Sequence, residues 1–322
     1  MTDAYGRIIE YLRVSITDRC NLRCVYCMPA GGGEPTTLEQ VLSDEEILRL
    51  CAILAGQGIR RVKVTGGEPL ARKDAASLIQ GIKAINGIEQ VTLTSNGVLL
   101  GDYLDKLASA GLDALNISLD ALDAEAFYRI TRSGGLDKTL AAIDRAVALG
   151  IPVKVNCVPI RGLNDSELVP LAGLARERNI SVRFIELMPM GCSGGFDSIP
   201  NEEVFERIQE AYGLLKDFTG KLGNGPAVYY TVEGFKGKLG FISALSHEFC
   251  QNCNRLRLTS DGMLKPCLAS DTRLDLKTML RTGADDAQIA REIQAFIAQK
   301  PLRHEFEKVS GGERLAMHSI GG

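Results

Sequence analysis

The chain is poor in several features that would assign it to a common functional class. No apolar run approaches the ~20 residues needed to cross a bilayer, and Met1-Thr2-Asp3-Ala4-Tyr5 is not a basic region leading into an apolar stretch. Neither a membrane span nor a secretory leader is therefore expected. Excess positive charge is also missing: the formal net charge is −3, which argues against a nucleic-acid surface. An anionic ligand would have to be held by a few placed cations. No G-x-x-x-x-G-K-[ST] loop occurs and no G-x-G-x-x-G follows a strand, so Walker-type and Rossmann nucleotide sites are excluded. Histidine is scarce, at His247, His304 and His318. The nine cysteines are an odd number without a secretory context, which excludes a disulfide framework and makes the reducing cytoplasm the expected compartment.

What is present is cysteine in tight spacing. Cys20-Asn21-Leu22-Arg23-Cys24-Val25-Tyr26-Cys27 puts three thiols into eight residues as C-x3-C-x2-C. Thiolate is the preferred ligand of iron–sulfur clusters. A [4Fe–4S] core held by only three cysteines leaves one iron open to bind and reduce a small molecule. Zinc also takes thiolates but wants four ligands and a C-x2-C pair, and no fourth Cys or His lies near Cys27. A second set, Cys250-Gln251-Asn252-Cys253 and then Cys267, again supplies three thiols. His247 could complete it as a Cys3His zinc site, so spacing alone leaves zinc and a cluster open here. Cys51 and Cys157 fall in apolar runs and read as small buried hydrophobes. Cys192, in a Gly-rich loop, has no assigned role.

With 322 residues the chain is long enough for about two domains. Short β-branched runs at Tyr11–Thr17, Arg61–Thr65, Gln90–Ser95, Ala114–Leu119, Val153–Val158 and Val182–Leu187 alternate with amphipathic helical stretches. One helix opens with the capping box Ser43-Asp44-Glu45-Glu46, another begins near Asn164, and a third, Asp137–Leu149, stops at Gly150. This is the pattern of βα units around a parallel sheet. Six units are too few for a closed eight-unit barrel. The expected fold is α/β, an open, partial (β/α)6 TIM-like barrel over residues 1–222. A smaller C-terminal domain, 223–322, follows the Gly-rich stretch Gly220–Pro226, with strands Ala227–Val232 and Leu239–Ile242 and helices Arg273–Arg281 and Asp286–Lys300.

Period-two reading puts Lys63 with Thr65, Asn116 with Ser118 and Asp120, and Lys154 with Asn156 on common faces. Thr94, Ser95 and Asn96 end another strand. Polar, same-facing groups at the same end of several strands imply a lined cavity, since barrels collect function there. Lys63 and Lys154 interrupt otherwise apolar strands. In Thr65-Gly66-Gly67-Glu68-Pro69 the glycines would let backbone approach a ligand closely.

Together, the run Tyr11–Pro29, the Val64–Pro69 turn, the run His247–Arg257 and the terminal Gly321-Gly322 resemble the radical S-adenosylmethionine (SAM) enzymes. Within that superfamily they are most similar to the GTP 3′,8-cyclases of molybdenum cofactor biosynthesis. The resemblance runs almost end to end. It implies that Cys20, Cys24 and Cys27 hold one [4Fe–4S] cluster, whose open iron takes SAM, and that Tyr26, Gly67, Ser118 and Met188 contact SAM. It implies a second cluster on Cys250, Cys253 and Cys267, and GTP contacts from Arg13, Lys63, Thr94, Lys154, Arg255, Leu256 and Arg257. Gly321 and Gly322 would enter the catalytic pocket. The implied reaction is reductive SAM cleavage, hydrogen removal from ribose C3′ and closure onto guanine C8. The resemblance further implies an external electron donor, a homodimer, and cyclic pyranopterin monophosphate synthase as pathway neighbour. Two rivals share the cysteines: a radical SAM enzyme that matures peptides, and a zinc-stabilised binding or electron-transfer module.

Overall fold

The computed structural model describes residues 1–33, 36–37, 39–220, 222–304, 306 and 320. Gly321, Gly322 and His318 lie outside the described residues. In chain order the elements are β1 (Tyr11–Ser15), α1 (Asp44–Gly56), β2 (Arg61–Thr65), α2 (Ala75–Lys83), β3 (Gln90–Ser95), α3 (Leu104–Ser109) and β4 (Ala114–Ser118). Then come α4 (Ala124–Thr131), α5 (Leu136–Ala148), β5 (Val153–Cys157), α6 (Leu168–Glu177), β6 (Ser181–Ile185), α7 (Asn201–Tyr212) and β7 (Leu215–Asp217). The remainder is β8 (Val228–Val232), β9 (Lys238–Ile242), β10 (Arg255–Leu258), β11 (Met263–Lys265), β12 (Leu274–Asp275), α8 (Leu276–Arg281) and α9 (Asp286–Ile297).

One sheet collects all the strands in the order β12-β11-β10-β1-β2-β3-β4-β5-β6-β9-β8-β7. The six strands expected from βα units are there, in sequence order and parallel. Two more parallel strands flank them: β10 pairs with β1 and β9 with β6. Both come from the C-terminal part of the chain, so its residues extend the barrel sheet at either side. Antiparallel strands continue from each.

Strand alternation decides what each face carries. Leu12 and Val14, Val62 and Val64, Leu115 and Ile117, Val153 and Val155, and Val182 and Phe184 share the apolar face and are fully or almost fully buried in the core. Burying each such side chain is worth ~1.5–3 kcal/mol, which fixes the register: a one-residue slip would turn every one of them around. The opposite face is polar along its length, with Arg257, Arg13 and Lys63 at one level of β10, β1 and β2. Asn116 and Lys154 pair across β4 and β5, and Asn156 and Arg183 across β5 and β6.

Several elements end earlier than the sequence pattern suggests. β1 stops at Ser15 because the next carbonyls bond elsewhere: Thr17 and Arg19 accept from the amides of Gly67 and Glu68, both at 2.8 Å. The expected helix Arg273–Arg281 divides into β12 and α8, since Asp275 caps α8 by accepting from the Thr278 amide at 2.8 Å. The helix expected to reach Lys300 ends at Ile297. Among the described residues no helix is long and apolar enough to cross a membrane.

Candidate active site

The loop after β1 carries the first triad and is held on three sides. A tight turn closes it, with the amides of Cys27 and Met28 both donating to the Cys24 carbonyl at 3.0 Å. The end of α4 holds its outer edge: Arg23 and Val25 amides donate to Thr131 and Ile130 carbonyls at 2.9 Å. The Gly66-Gly67 segment closes the third side. A Cβ on Gly67 would stand 2.5 Å from the Arg19 carbonyl oxygen, and one on Gly66 2.5 Å from that of Thr17. The backbone of the cysteine loop packs directly against these glycines, which also line the cavity described below.

Glu68, fully buried, locks this arrangement. It accepts from the Leu70 amide, from the Asn96 amide at 2.7 Å and from the Ser95 hydroxyl at 2.9 Å. Burial lifts its carboxyl from the ordinary 4.5 to about 7, against the pull of those donors. A carboxyl with a raised folded value gives the native state its full proton-linked stability below the ordinary value and loses it as pH climbs through the raised one. The melting temperature should therefore fall between about pH 4.5 and 7 more steeply in the native sequence than in Glu68→Gln. Equal slopes in thermal melts would remove Glu68 as the cause.

Tyr26, between the second and third cysteines, donates its hydroxyl to Asp120 Oδ2 at 2.6 Å. The other oxygen, Oδ1, accepts from the Val158 amide at 2.8 Å. Burial raises Asp120 to about 6 and pushes the Tyr26 phenol well above its ordinary value. The cysteine loop is thus tied to the ends of β4 and β5.

The polar face encloses a cavity of about 380 Å³ lined by both cysteine triads. The first triad follows the C-terminal end of β1. Cys253 precedes the N-terminal end of β10, which runs parallel to β1, and Cys267 follows β11, which is antiparallel to β10. The two sets consequently approach from opposite ends of the strands. Between them the lining contains seven Lys and Arg side chains and two carboxylates, Asp120 and Glu186. Those carboxylates are engaged elsewhere, Asp120 as above and Glu186 with the Leu245 and Ser246 amides. Burial holds Lys63 well below its ordinary value, and Arg183, Arg13 and Lys154 push it the same way. Arg257 is depressed likewise by burial, then by Arg13 and Arg255. Lys154 falls to about 8 through burial and Arg183. Crowded like charges in a desolvated space cost energy that a polyanion relieves.

Each expected SAM contact, Tyr26, Gly67, Ser118 and Met188, lines this cavity. So do Arg13, Lys63, Thr94, Lys154, Arg255 and Arg257. Leu256 differs: strand alternation turns its side chain into the apolar core, where it is fully buried. His247 is also elsewhere, exposed and 3.9 Å from Glu202. It does not complete a Cys3His site. His304 is the histidine near Cys250, forming with Glu248 a group whose ligand atoms lie within 4.8 Å of one another. Cys51 and Cys157 are buried, as expected.

Arg183 went unrecognised in the sequence. It is 6% exposed, and its guanidinium donates to Asn116 Oδ1 at 2.7 Å and Asn156 Oδ1 at 2.6 and 2.9 Å. The signal was available: a cation inside an apolar strand, as for Lys63. Lys300, 2% exposed, gave no such signal, because the helical pattern ran through it.

The chemistry of the donors fits iron–sulfur clusters. No disulfide joins any of the six cysteines. Thiolate is the preferred ligand of such clusters, and neither set supplies from cysteine alone the four ligands of a tetrahedral zinc.

Comparison with known proteins agrees. The Radical SAM superfamily model matches residues 14–175 and the Molybdenum Cofactor Synthesis C model matches residues 180–306. A GTP 3′,8-cyclase from Heliobacterium modesticaldum is 47% identical over all of both chains. The chain belongs to the GTP 3′,8-cyclase family of radical SAM enzymes. Another GTP 3′,8-cyclase, from Moorella thermoacetica, is 45% identical, again with complete coverage of both. Molybdenum cofactor biosynthesis protein 1 of Dictyostelium discoideum is 41% identical over 94% of this chain and 49% of its own length. In fold, the crystal structure of Streptococcus suis SuiB bound to S-adenosylmethionine has a TM-score of 0.63 at 16% identity, covering 88% of this chain and 68% of that one. Membership brings two [4Fe–4S] clusters and SAM as cofactors.

Proposed function

We propose that this enzyme converts GTP to (8S)-3′,8-cyclo-7,8-dihydroguanosine 5′-triphosphate, the first step of molybdenum cofactor biosynthesis. The observation that carries the reading is that one cavity, cationic along its length, is lined by both three-cysteine sets, which enter from opposite ends. When bound, SAM and the clusters supply one-electron and hydrogen-atom chemistry. The protein supplies orientation, charge and exclusion of water. Lys63, Lys154, Arg13, Arg255 and Arg257 would grip the triphosphate, which suits a site with no P-loop. Tyr26, Gly67, Ser118 and Met188 would hold SAM against the first triad. Arg183, fixed by Asn116 and Asn156, adds a further cation to the lining. We assign the SAM half to residues 1–222 and the auxiliary cluster to 223–322, and an external one-electron donor completes the scheme.

The reaction exchanges one hydrogen lost at C3′ for one gained on the purine, so the product is an isomer of GTP. Anaerobically reconstituted protein given SAM, dithionite and GTP should yield 5′-deoxyadenosine, methionine and a new peak with the mass of GTP. Formation of 5′-deoxyadenosine with no such isomer would refute the cyclase reading. Lys63→Met should weaken GTP binding by ~10–100-fold, the worth of one charge-assisted hydrogen bond of ~1.5–3 kcal/mol. Equilibrium dialysis checks this, and unchanged affinity would exclude Lys63 from the phosphate site.

A further inference from the structure

Just beyond α9, Lys300 brings a buried ammonium to the second triad, 2% of the residue being exposed. It donates to the Arg255 carbonyl at 2.9 Å and, more closely still, to the Pro266 carbonyl. The Cys253 and Cys267 thiols are near enough to act on its charge. An ammonium has three N–H donors, and two of them go to these carbonyls. Both acceptors adjoin the second triad: Arg255 is two residues after Cys253, and Pro266 immediately precedes Cys267. Lys300 also lines the cavity.

A second side chain fixes the segment that carries it. Arg7, paired with Asp3 at 2.5 Å, donates to the Pro301 carbonyl at 2.7 Å, the Leu302 carbonyl at 3.1 Å and the Lys300 carbonyl at 3.4 Å. The same guanidinium donates to the Cys250 carbonyl at 2.8 Å. Between them, Arg7 and Lys300 tie down the backbone around all three cysteines of the set, from elements separated by almost the whole chain. A purely structural strut could be neutral. This one is a cation, and its two carbonyl partners flank Cys253 and Cys267.

We propose that Lys300 is a positioning residue that tunes the charge of the second cluster, raising its reduction potential, rather than part of the nucleotide grip. This rests on Cys250, Cys253 and Cys267 being cluster ligands. A [4Fe–4S] core with three thiolates is anionic, and gaining an electron makes it more so. A desolvated cation bonded to the backbone beside its sulfurs therefore favours the reduced form.

The test uses the full chain with Cys20, Cys24 and Cys27 all changed to Ala, so that only the second cluster assembles, followed by a redox titration monitored by electron paramagnetic resonance. Lys300→Met should move the midpoint to a more negative value, and Lys300→Arg, which keeps the charge, should leave it near that of the parent. An unchanged midpoint in Lys300→Met with four irons retained overturns the proposal. If Lys300→Met loses the cluster, its return in Lys300→Arg supports the charge requirement, and loss in both overturns it. A parent that assembles no cluster refutes the ligand assignment instead, which keeps the two failures apart.

Discussion

Cys24→Ser is expected to reduce 5′-deoxyadenosine formation to background, beyond the ~10–100-fold typical of changes behind a metal ligand. The hydroxyl is a harder and poorer donor to iron than thiolate. The fold should survive, because the Cys24 carbonyl, not its sulfur, closes the turn by accepting from Cys27 and Met28. Burial already pushes the Cys24 thiol well above its ordinary value, with Asp120 and the other two cysteines of the set adding to the effect. Such a thiol ionises for a metal centre and not for solvent. Iron per chain should fall from about eight to about four while GTP still binds at the far end. Full SAM cleavage with four irons missing would break the link between this triad and the chemistry.

Gly67→Ala is expected to have an effect nearly as large, by a route that does not touch iron. Its Cβ would stand 2.5 Å from the Arg19 carbonyl oxygen and 2.7 Å from that of Asp18, both backbone atoms with little room to yield. Overpacking of this kind costs ~1–3 kcal/mol. Here relief can come only by moving the loop that begins at Thr17 and carries Cys20. Stability should drop by that amount in urea unfolding of the metal-free chain. After reconstitution the first cluster's signal should disappear and the second's persist. Wild-type iron content and stability would mean that the loop has slack the geometry does not suggest. The same pairing explains why two glycines stand before Glu68: the Gly67 and Glu68 amides are the donors that replace the ended β1 ladder.

The two triads were legible because metal ligation is local chemistry, written in close spacing. So were the six βα strands, whose alternation of valine, leucine and isoleucine with polar residues reports one buried face and one lined cavity. Lys63 and Lys154 showed themselves for the same reason, as cations that no apolar strand would otherwise contain. Arg183 obeyed that rule equally and was overlooked. The flanking parallel strands β9 and β10 were not legible as barrel strands. Nothing in Lys238–Ile242 or Arg255–Leu258 states that its partner is β6 or β1.

Ligand chemistry and the period of the strands were therefore fixed by the amino-acid order itself, since each depends on residues close together in the chain. Only the tertiary structure decided that His304 and not His247 stands by Cys250, that Leu256 turns into the core, and that Lys300 reaches the backbone beside the second triad. Each of these depends on which distant segments the sheet brings together, and pairing across hundreds of residues is settled by the packing of the whole chain.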